Sequence, residues 1–462
     1  MLANLPARIL YWTNLAFGRI EPASVGQLRY QRIIHSTVAA AIARGVNLIV
    51  SFISVPLTVG YLGRDRYGVW VTISSLLIFL SFADLGLGGS LLNALSDAYG
   101  HEDRVAAKRY VSSAFWLLCV IAVVLWIPFA GAHRWIAAEL FSAGEIPSIR
   151  DESGTAVLVA ITIFFINFPL NLYAQVLTAY QQRTIVNICA ILTSVGNLVA
   201  IIAAIALKGG LVWLVLGYSG CGLLVSVITS LWLYCYAKPW LKPSVQSVEL
   251  RLVGSLFRSG WRFLVTSIFW MVNLQTDNII ISHFLGPGEV TPYSISYRLF
   301  SYAVIFQSFA VVALWPAYTE AKARGDAPWI RRAFMANLLF SILSSLPLTI
   351  VFVVLGQQII RWWAGESAVP TFSLIVWMAI WNLMLAIMSV PNFLLYALGR
   401  LTGMTVYGTI AALANILLSI VLVTRWGMNG VVFSSVVATG VLSLLPMFVD
   451  AKRALQKLSS PG

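Results

Sequence analysis

Four sets of polar side chains in this apolar sequence recur at helical spacing, and three of them carry an arginine. Ser36, Ala40, Arg44, Asn47, Ser51, Ser54 and Thr58 follow one another at steps of three or four residues, which puts them on one face of a helix. Ser294, Tyr297, Arg298, Ser301 and Ser308 form a second stripe, Arg262, Thr266, Asn273 and Asp277 a third, and Ser74, Ser81, Asp84 and Gly88 a fourth. Packing through small residues accounts for the alanines and serines. It accounts poorly for a guanidinium, which costs several kcal/mol at membrane depth unless it faces a cavity or a partner.

Two chemistries fit Arg44 and Arg298. As planar forks they can clamp phosphate oxygens through paired charge-assisted hydrogen bonds, with Asn47, Tyr297 and Asn273 as further substrate contacts. Alternatively they belong to a neutral internal network, balanced by Asp84 and Asp277, that fixes helix register. For the two aspartates themselves we expect structural pairing, a helix-break role or charge coupling.

Enzyme chemistry finds no foothold. HExxH, GxSxG and Walker patterns are missing, and His35, His101, His133 and His283 are scattered without metal-ligand spacing. No catalytic residue, metal site or cofactor is expected. Asp84-Leu-Gly-Leu-Gly-Gly89 looks like a phosphate loop but follows a helix rather than a strand, so it reads as a flexible point within a span. Trp362-Trp363 could stack on a sugar ring, although an interfacial aromatic belt explains the pair better. Cys119, Cys189, Cys221 and Cys235 all lie in apolar stretches without paired spacing and read as small buried hydrophobes.

The elements that must position these groups are membrane helices. Hydrophobic residues make up 59% of the 462, charged residues 10%, and the mean hydropathy is +0.85, outside the range of an ordinary water-soluble domain. Stretches of the ~20 apolar residues needed to cross a bilayer recur along the chain. We expect an all-α integral membrane protein with twelve spans, near 33–60, 67–95, 110–130, 154–179, 185–207, 211–236, 260–284, 291–319, 333–355, 370–396, 404–424 and 428–449. Segment 1–32 and the tail 450–462 would be cytoplasmic, and no cleavable signal peptide is expected. The linker 237–259, with Pro239 and Pro243, would separate six-helix bundles at 33–236 and 260–449.

Charge sets the orientation. With the N-terminus inside, 21 of the 30 Lys and Arg residues face the cytoplasm, whereas Arg64, Arg66, Arg134, Arg150, Lys208, Arg361 and Arg425 face out. The net charge of +13 is therefore a topology signal, and nucleic acid is not an expected partner. A shift of 223 positions lays Tyr61-Leu-Gly63 on Phe284-Leu-Gly286 and Lys108-Arg109 on Arg331-Arg332. That repeat would relate the halves by an axis along the membrane normal.

Several local motifs resemble the polysaccharide transport family, the oligosaccharide (O-antigen type) flippases of the multidrug/oligosaccharidyl-lipid/polysaccharide exporter superfamily. They are Pro56 with Tyr61-Leu-Gly63 and Tyr67-Gly-Val-Trp70, then Asp84-Leu-Gly-Leu-Gly88. Asp277-Asn-Ile-Ile-Ile-Ser-His-Phe-Leu-Gly286, Tyr293-Ser-Ile-Ser-Tyr-Arg298, Ala397-Leu-Gly-Arg400, Asn415 and Gly427-Met-Asn-Gly430 follow in order. The resemblance implies a V-shaped alternating-access transporter of two six-helix bundles in a bacterial inner membrane. It would flip an undecaprenyl-diphosphate-linked oligosaccharide outward for cell-surface polysaccharide biosynthesis, with Arg44 and Arg298 fitting a cationic cavity. Its implied partners are the lipid-linked oligosaccharide, the bilayer and polysaccharide assembly proteins. The competing readings are a multidrug cation antiporter, which would want acidic cavity groups, and a membrane polysaccharide polymerase or ligase, which would want a large outer loop. No ATP-binding motif is present, which leaves an ion gradient, the membrane potential or substrate flux as the energy source.

Overall fold

The computed structural model describes residues 25–84, 86–141 and 147–459. Side chains are described except at 25–37, 82–83, 147–151, 250, 259–274, a set of positions between 305 and 316, 323, 401–402 and 459. Most of segment 1–32 and the side chains of Ser36, Arg262, Thr266, Asn273 and Ser308 thus lie outside the described residues.

Among the described residues the regular structure is entirely helical. The first half of the chain forms α1 (Val25–Leu80), α2 (Leu87–Gly100), α3 (Arg104–Gly131), α4 (His133–Leu140), α5 (Pro147–Leu170), α6 (Leu172–Ala179), α7 (Arg183–Ala206) and α8 (Gly210–Trp232). The second forms α9 (Leu250–Leu285), α10 (Pro287–Ala323), α11 (Ala327–Ala364), α12 (Phe372–Leu398), α13 (Leu401–Trp426), α14 (Met428–Thr439) and α15 (Leu445–Ser459). Nine helical stretches of the described residues are long and apolar enough to cross a membrane. The first, Val38–Leu80, is 43 residues long, about twice what one crossing needs.

Glycines divide the long helices. Within α1, Gly63 has φ 73° and ψ 178°, a conformation open essentially to glycine alone, so the chain leaves one helix and starts another. Gly286 has nearly the same backbone, φ 94° and ψ 159°, between α9 and α10, and Pro287 then starts α10 where its missing N–H costs nothing. The two glycines stand 223 positions apart, so the sequence repeat has a backbone counterpart. Side-chain caps start two later helices: Asp326 accepts from Trp329 N at the head of α11, and Thr371 from Leu374 N at the head of α12.

Burial runs opposite to that of a soluble protein. Ile49, Val120, Leu224, Leu343 and Leu417 are exposed, while Ser112, Ser113, Ser282, Ser341, Ser419 and Ser434 are buried to completion. Lipid tails solvate leucine as well as a protein core does, so close approach through small hydroxyls holds these helices together.

The chain forms two compact units. The first comprises residues 1–54, 83–131 and 158–263, and the second 55–82, 132–157 and 264–462. In the first, α7 packs on α8, and α2 on α3 and α6. In the second, α10, α11 and α12 pack mutually and α13 pairs with α14. One end of that unit is an apolar cluster of Tyr318, Ile330, Phe334, Leu394, Met404, Met447 and neighbours. The units interleave along the sequence, whereas 33–236 and 260–449 divide the chain once.

Candidate functional site

The second unit holds the most elaborate polar arrangement, and it centres on Asp277 of α9. Its side chain is 3% exposed. Tyr293 Oη of α10 donates to Asp277 Oδ2 at 2.7 Å, and Ser435 Oγ of α14 donates to the same oxygen at 3.1 Å. Asn415 Nδ2 of α13 donates to Ser435 Oγ at 3.3 Å, and Ser419 Oγ donates to Asn415 Oδ1 at 3.0 Å. Three helices therefore meet at one carboxylate, with α13 behind Ser435, while among the described residues its other oxygen, Oδ1, is buried without a hydrogen-bond partner. An acceptor left over in such surroundings costs about 1–3 kcal/mol and favours a proton or a small cation. Tyr297, one turn beyond Tyr293, packs its ring against Trp381 with centroids 5.5 Å apart. Arg298 lies next to it, part-exposed.

A second cluster joins the segment after Gly63 to the start of α10. Arg64 donates through Nε to the Gly288 carbonyl at 3.0 Å and through Nη2 to Glu289 Oε1 at 2.6 Å, and Thr291 Oγ1 donates to the Arg64 carbonyl at 2.6 Å. Arg66 pairs with Glu152 at 2.9 Å. At Gly68 the backbones come so close that a β-carbon would overlap the Pro287 carbonyl oxygen. Asn278 Nδ2 reaches Ser75 Oγ at 3.0 Å, and Ser282 Oγ donates to the Leu140 carbonyl at 2.8 Å. Further along α10, Gln307 Nε2 donates to Ser341 Oγ, Ser389 Oγ and the Ala386 carbonyl, tying three helices.

In the first unit Arg44 and Asn47 are both exposed on α1. Asn47 Oδ1 accepts from Ser194 Oγ of α7 at 3.0 Å. Asp84 sits where α1 gives way, through a short 3-10 turn, to α2: its carboxylate accepts from Gly86 N at 3.0 Å and Gly88 N at 3.3 Å, and Gly86 is left-handed at φ 75°. Asp84 thus caps a helix break. Arg44, Asn47 and Asp84 belong to the first unit, and Asp277, Tyr297 and Arg298 to the second. The Asn273 side chain lies outside the described residues.

Sequence reasoning singled out Asp277 but not its partners. Tyr293 and Asn415 stand in the family-like motifs without a role, and Ser435 is one of many serines. Arg64 and Arg66 entered only as topology charges. Among the described residues no group of three or more His, Cys, Asp or Glu side chains could hold a metal ion.

Helices of this length and composition define a class, the polytopic α-helical membrane proteins. The fold matches a multidrug resistance MATE family transporter of the MOP superfamily in its inward-facing conformation, with a TM-score of 0.76 and 14% identity over 91% of this chain and 100% of that one. It also matches the lipid II flippase MurJ in an inward closed conformation, with a TM-score of 0.73 and 15% identity over 91% of this chain and 90% of that one. The chain belongs to the polysaccharide biosynthesis protein family, whose profile matches residues 33–322. A protein of Salmonella typhi designated an O-antigen transporter is 24% identical over 68% of this chain and 72% of its own length. A Yersinia pseudotuberculosis protein designated an O-antigen export protein is 22% identical over 85% of this chain and 94% of its own.

Proposed function

We propose that this protein is a flippase that carries a lipid-linked oligosaccharide of the undecaprenyl-diphosphate type from the cytoplasmic to the outer leaflet of a bacterial inner membrane. The observation that carries the reading is a conjunction: the chain belongs to a family of polysaccharide biosynthesis, yet it is built throughout as a transporter. A member of such a family that lacks catalytic motifs contributes by moving an intermediate. The multidrug transporters share the fold, but the relatives by sequence carry designations as O-antigen transporters and export proteins.

In this reading the nine apolar stretches, with Val38–Leu80 counted as two crossings at Gly63 and with α9 and α10 added, make twelve spans. Both termini are cytoplasmic, so the cluster around Arg64, Glu289 and Gly68 lies at the outer end of the molecule and closes it. Arg44 of the first unit and Arg298 of the second each contact the diphosphate through charge-assisted hydrogen bonds. Asp277, with its spare oxygen, is the coupling group: it exchanges a proton or monovalent cation as its helices move, which would draw on an ion gradient.

The test is reconstitution. Proteoliposomes containing the purified chain and a fluorescent undecaprenyl-diphosphate oligosaccharide should translocate the label, read as loss of protection from a membrane-impermeant quencher. Equal rates in protein-free vesicles would refute the function.

A further inference from the structure

The first unit contains a basic pocket that the transport reading leaves unused. It is a cavity of about 490 Å³ between the start of α3 and the segment that follows α8, with Arg104, Lys108 and Arg109 on one wall and Trp240, Ser247 and Glu249 on the other. We propose that this pocket binds the phosphate of a membrane lipid at the cytoplasmic interface.

Charge makes the first argument. Three cations line the cavity against a single carboxylate, and Glu249 Oε1 is held by Arg109 at 2.9 Å. Among the described residues neither Arg104 nor Lys108 forms an ion pair. Lys238 stands behind the same wall, where burial and, after it, the neighbouring Arg104 push its ammonium below the usual lysine range. Cations that crowd one another in this way leave a site whose missing component is an anion.

Construction makes the second. Trp240 and Tyr180 meet edge to face at 5.9 Å, with Arg104 over the Trp240 ring at 5.5 Å and Lys238 over the Tyr180 ring at 4.3 Å. The aromatic rings therefore hold the cations in place. The far wall is pinned to α3 by two fully buried serines: Ser112 Oγ accepts from Ser244 N at 3.1 Å, and Ser113 Oγ from Glu249 N at 3.0 Å. The pocket is consequently preformed, and binding need not order a loop. Location makes the third. Val105, which lines the cavity, and Val245, beside the lining residue Gln246, are exposed at 62% and 67%, as apolar groups at a bilayer surface are. A ligand with its phosphate in the cavity can leave its acyl or prenyl chain in the lipid.

A phosphate in this position could come from an anionic phospholipid or from the diphosphate of a lipid-linked saccharide, and binding measurements separate the two. The full chain in nanodiscs of phosphatidylcholine is titrated with phosphatidylglycerol in one arm and undecaprenyl diphosphate in the other. Binding is read by native mass spectrometry, for the parent and for R104Q/K108Q. Removing two charge-assisted contacts should weaken at least one lipid by about tenfold or more, with an unchanged melting curve. A loss confined to phosphatidylglycerol identifies the bilayer as the source, and one confined to undecaprenyl diphosphate the saccharide carrier. Should the double variant fail to fold, acylation of Lys108 in the parent gives the same answer: either lipid should protect it, and phosphatidylcholine should not. Unchanged affinity for both lipids in a folded variant, or absence of protection, overturns the proposal. No transport is measured, so failure here leaves the flippase reading intact and failure of that reading leaves this one intact.

Discussion

In the proposed topology, Gly68 is where a single methyl group should open the outer end of the molecule. Its β-carbon position is already filled by the Pro287 carbonyl, and neither partner is the free end of a flexible side chain. Gly68→Ala therefore forces two backbones apart, at the 1–3 kcal/mol typical of overpacking. If the closed outer end is one of two states, that energy shifts its population roughly 5- to 150-fold toward the open one. Arg64→Ala removes a more conspicuous interaction but should do less. The Arg64 and Glu289 side chains are 41% and 36% exposed, so water already screens them and the pair contributes about 0–1 kcal/mol, at most roughly fivefold. A steric contact between backbones outranks the ion pair beside it.

The readout is Thr72→Cys in a cysteine-free background. Thr72 is fully buried one turn beyond Gly68, and its hydroxyl donates to the Gly68 carbonyl of its own helix at 2.9 Å. A membrane-impermeant maleimide added from outside should label it slowly in the parent, faster in Arg64→Ala and much faster in Gly68→Ala. Gly60→Ala is the control, because a β-carbon there meets open space and labelling should not change. Unchanged labelling in folded Gly68→Ala, or an equal rise in Gly60→Ala, would refute the assignment of this contact as the closure.

Arg44→Ala and Arg298→Ala should each lower transport roughly 10- to 150-fold at normal membrane levels, the worth of a charge-assisted bond of about 1.5–3 kcal/mol, with lysine rescuing in part. The network alternative instead predicts reduced protein level, restored by neutralising Asp84 or Asp277 in the same chain, so immunoblots of single and double variants decide. Asp277→Asn should abolish dependence of transport on an imposed ion gradient, while Ser435→Ala, which removes one hydrogen bond worth about 1 kcal/mol, should only weaken it; gradient-dependent uptake in Asp277→Asn would sink the coupling role. Reporter fusions after Gly462 and within Gly131 to Ser153 should report opposite compartments, and the same side for both would overturn the topology. Replacing Cys119, Cys189, Cys221 and Cys235 together should leave insertion and transport intact, and loss of transport in an inserted protein would reveal a role for a thiol.

The helices were legible in the sequence because lipid imposes length and polarity on each of them separately. The breaks were legible for a related reason. Gly63 and Gly286 stand where the apolar runs pause, and Asp84 precedes a glycine-rich stretch that a helix tolerates poorly, so local composition alone marks all three. What local composition does not carry is pairing at a distance. Nothing near Arg64 announces Glu289, which lies 225 positions on, and Ser435 resembles every other serine until α14 brings it to Asp277. The repeat offset of 223 comes close to the first of these pairings, because it superposes the Gly63 and Gly286 breaks whose flanking residues meet.

Depth then explains why the polar contacts differ in kind. Solvent-exposed ion pairs are screened by water and exchange readily, so in the proposed topology Arg64 with Glu289 can hold a closed end without locking it. Deeper in the second unit the same chemistry would cost too much, and there a single carboxylate meets hydroxyls of tyrosine and serine, with an asparagine amide behind them. Hydroxyls rotate and can serve either protonation state, so the Asp277 cluster would keep its partners through the proposed exchange of a proton or cation at Oδ1. A buried arginine in place of Ser435 would neutralise Asp277 permanently, and the cluster would lose the change of charge that the proposed coupling role needs.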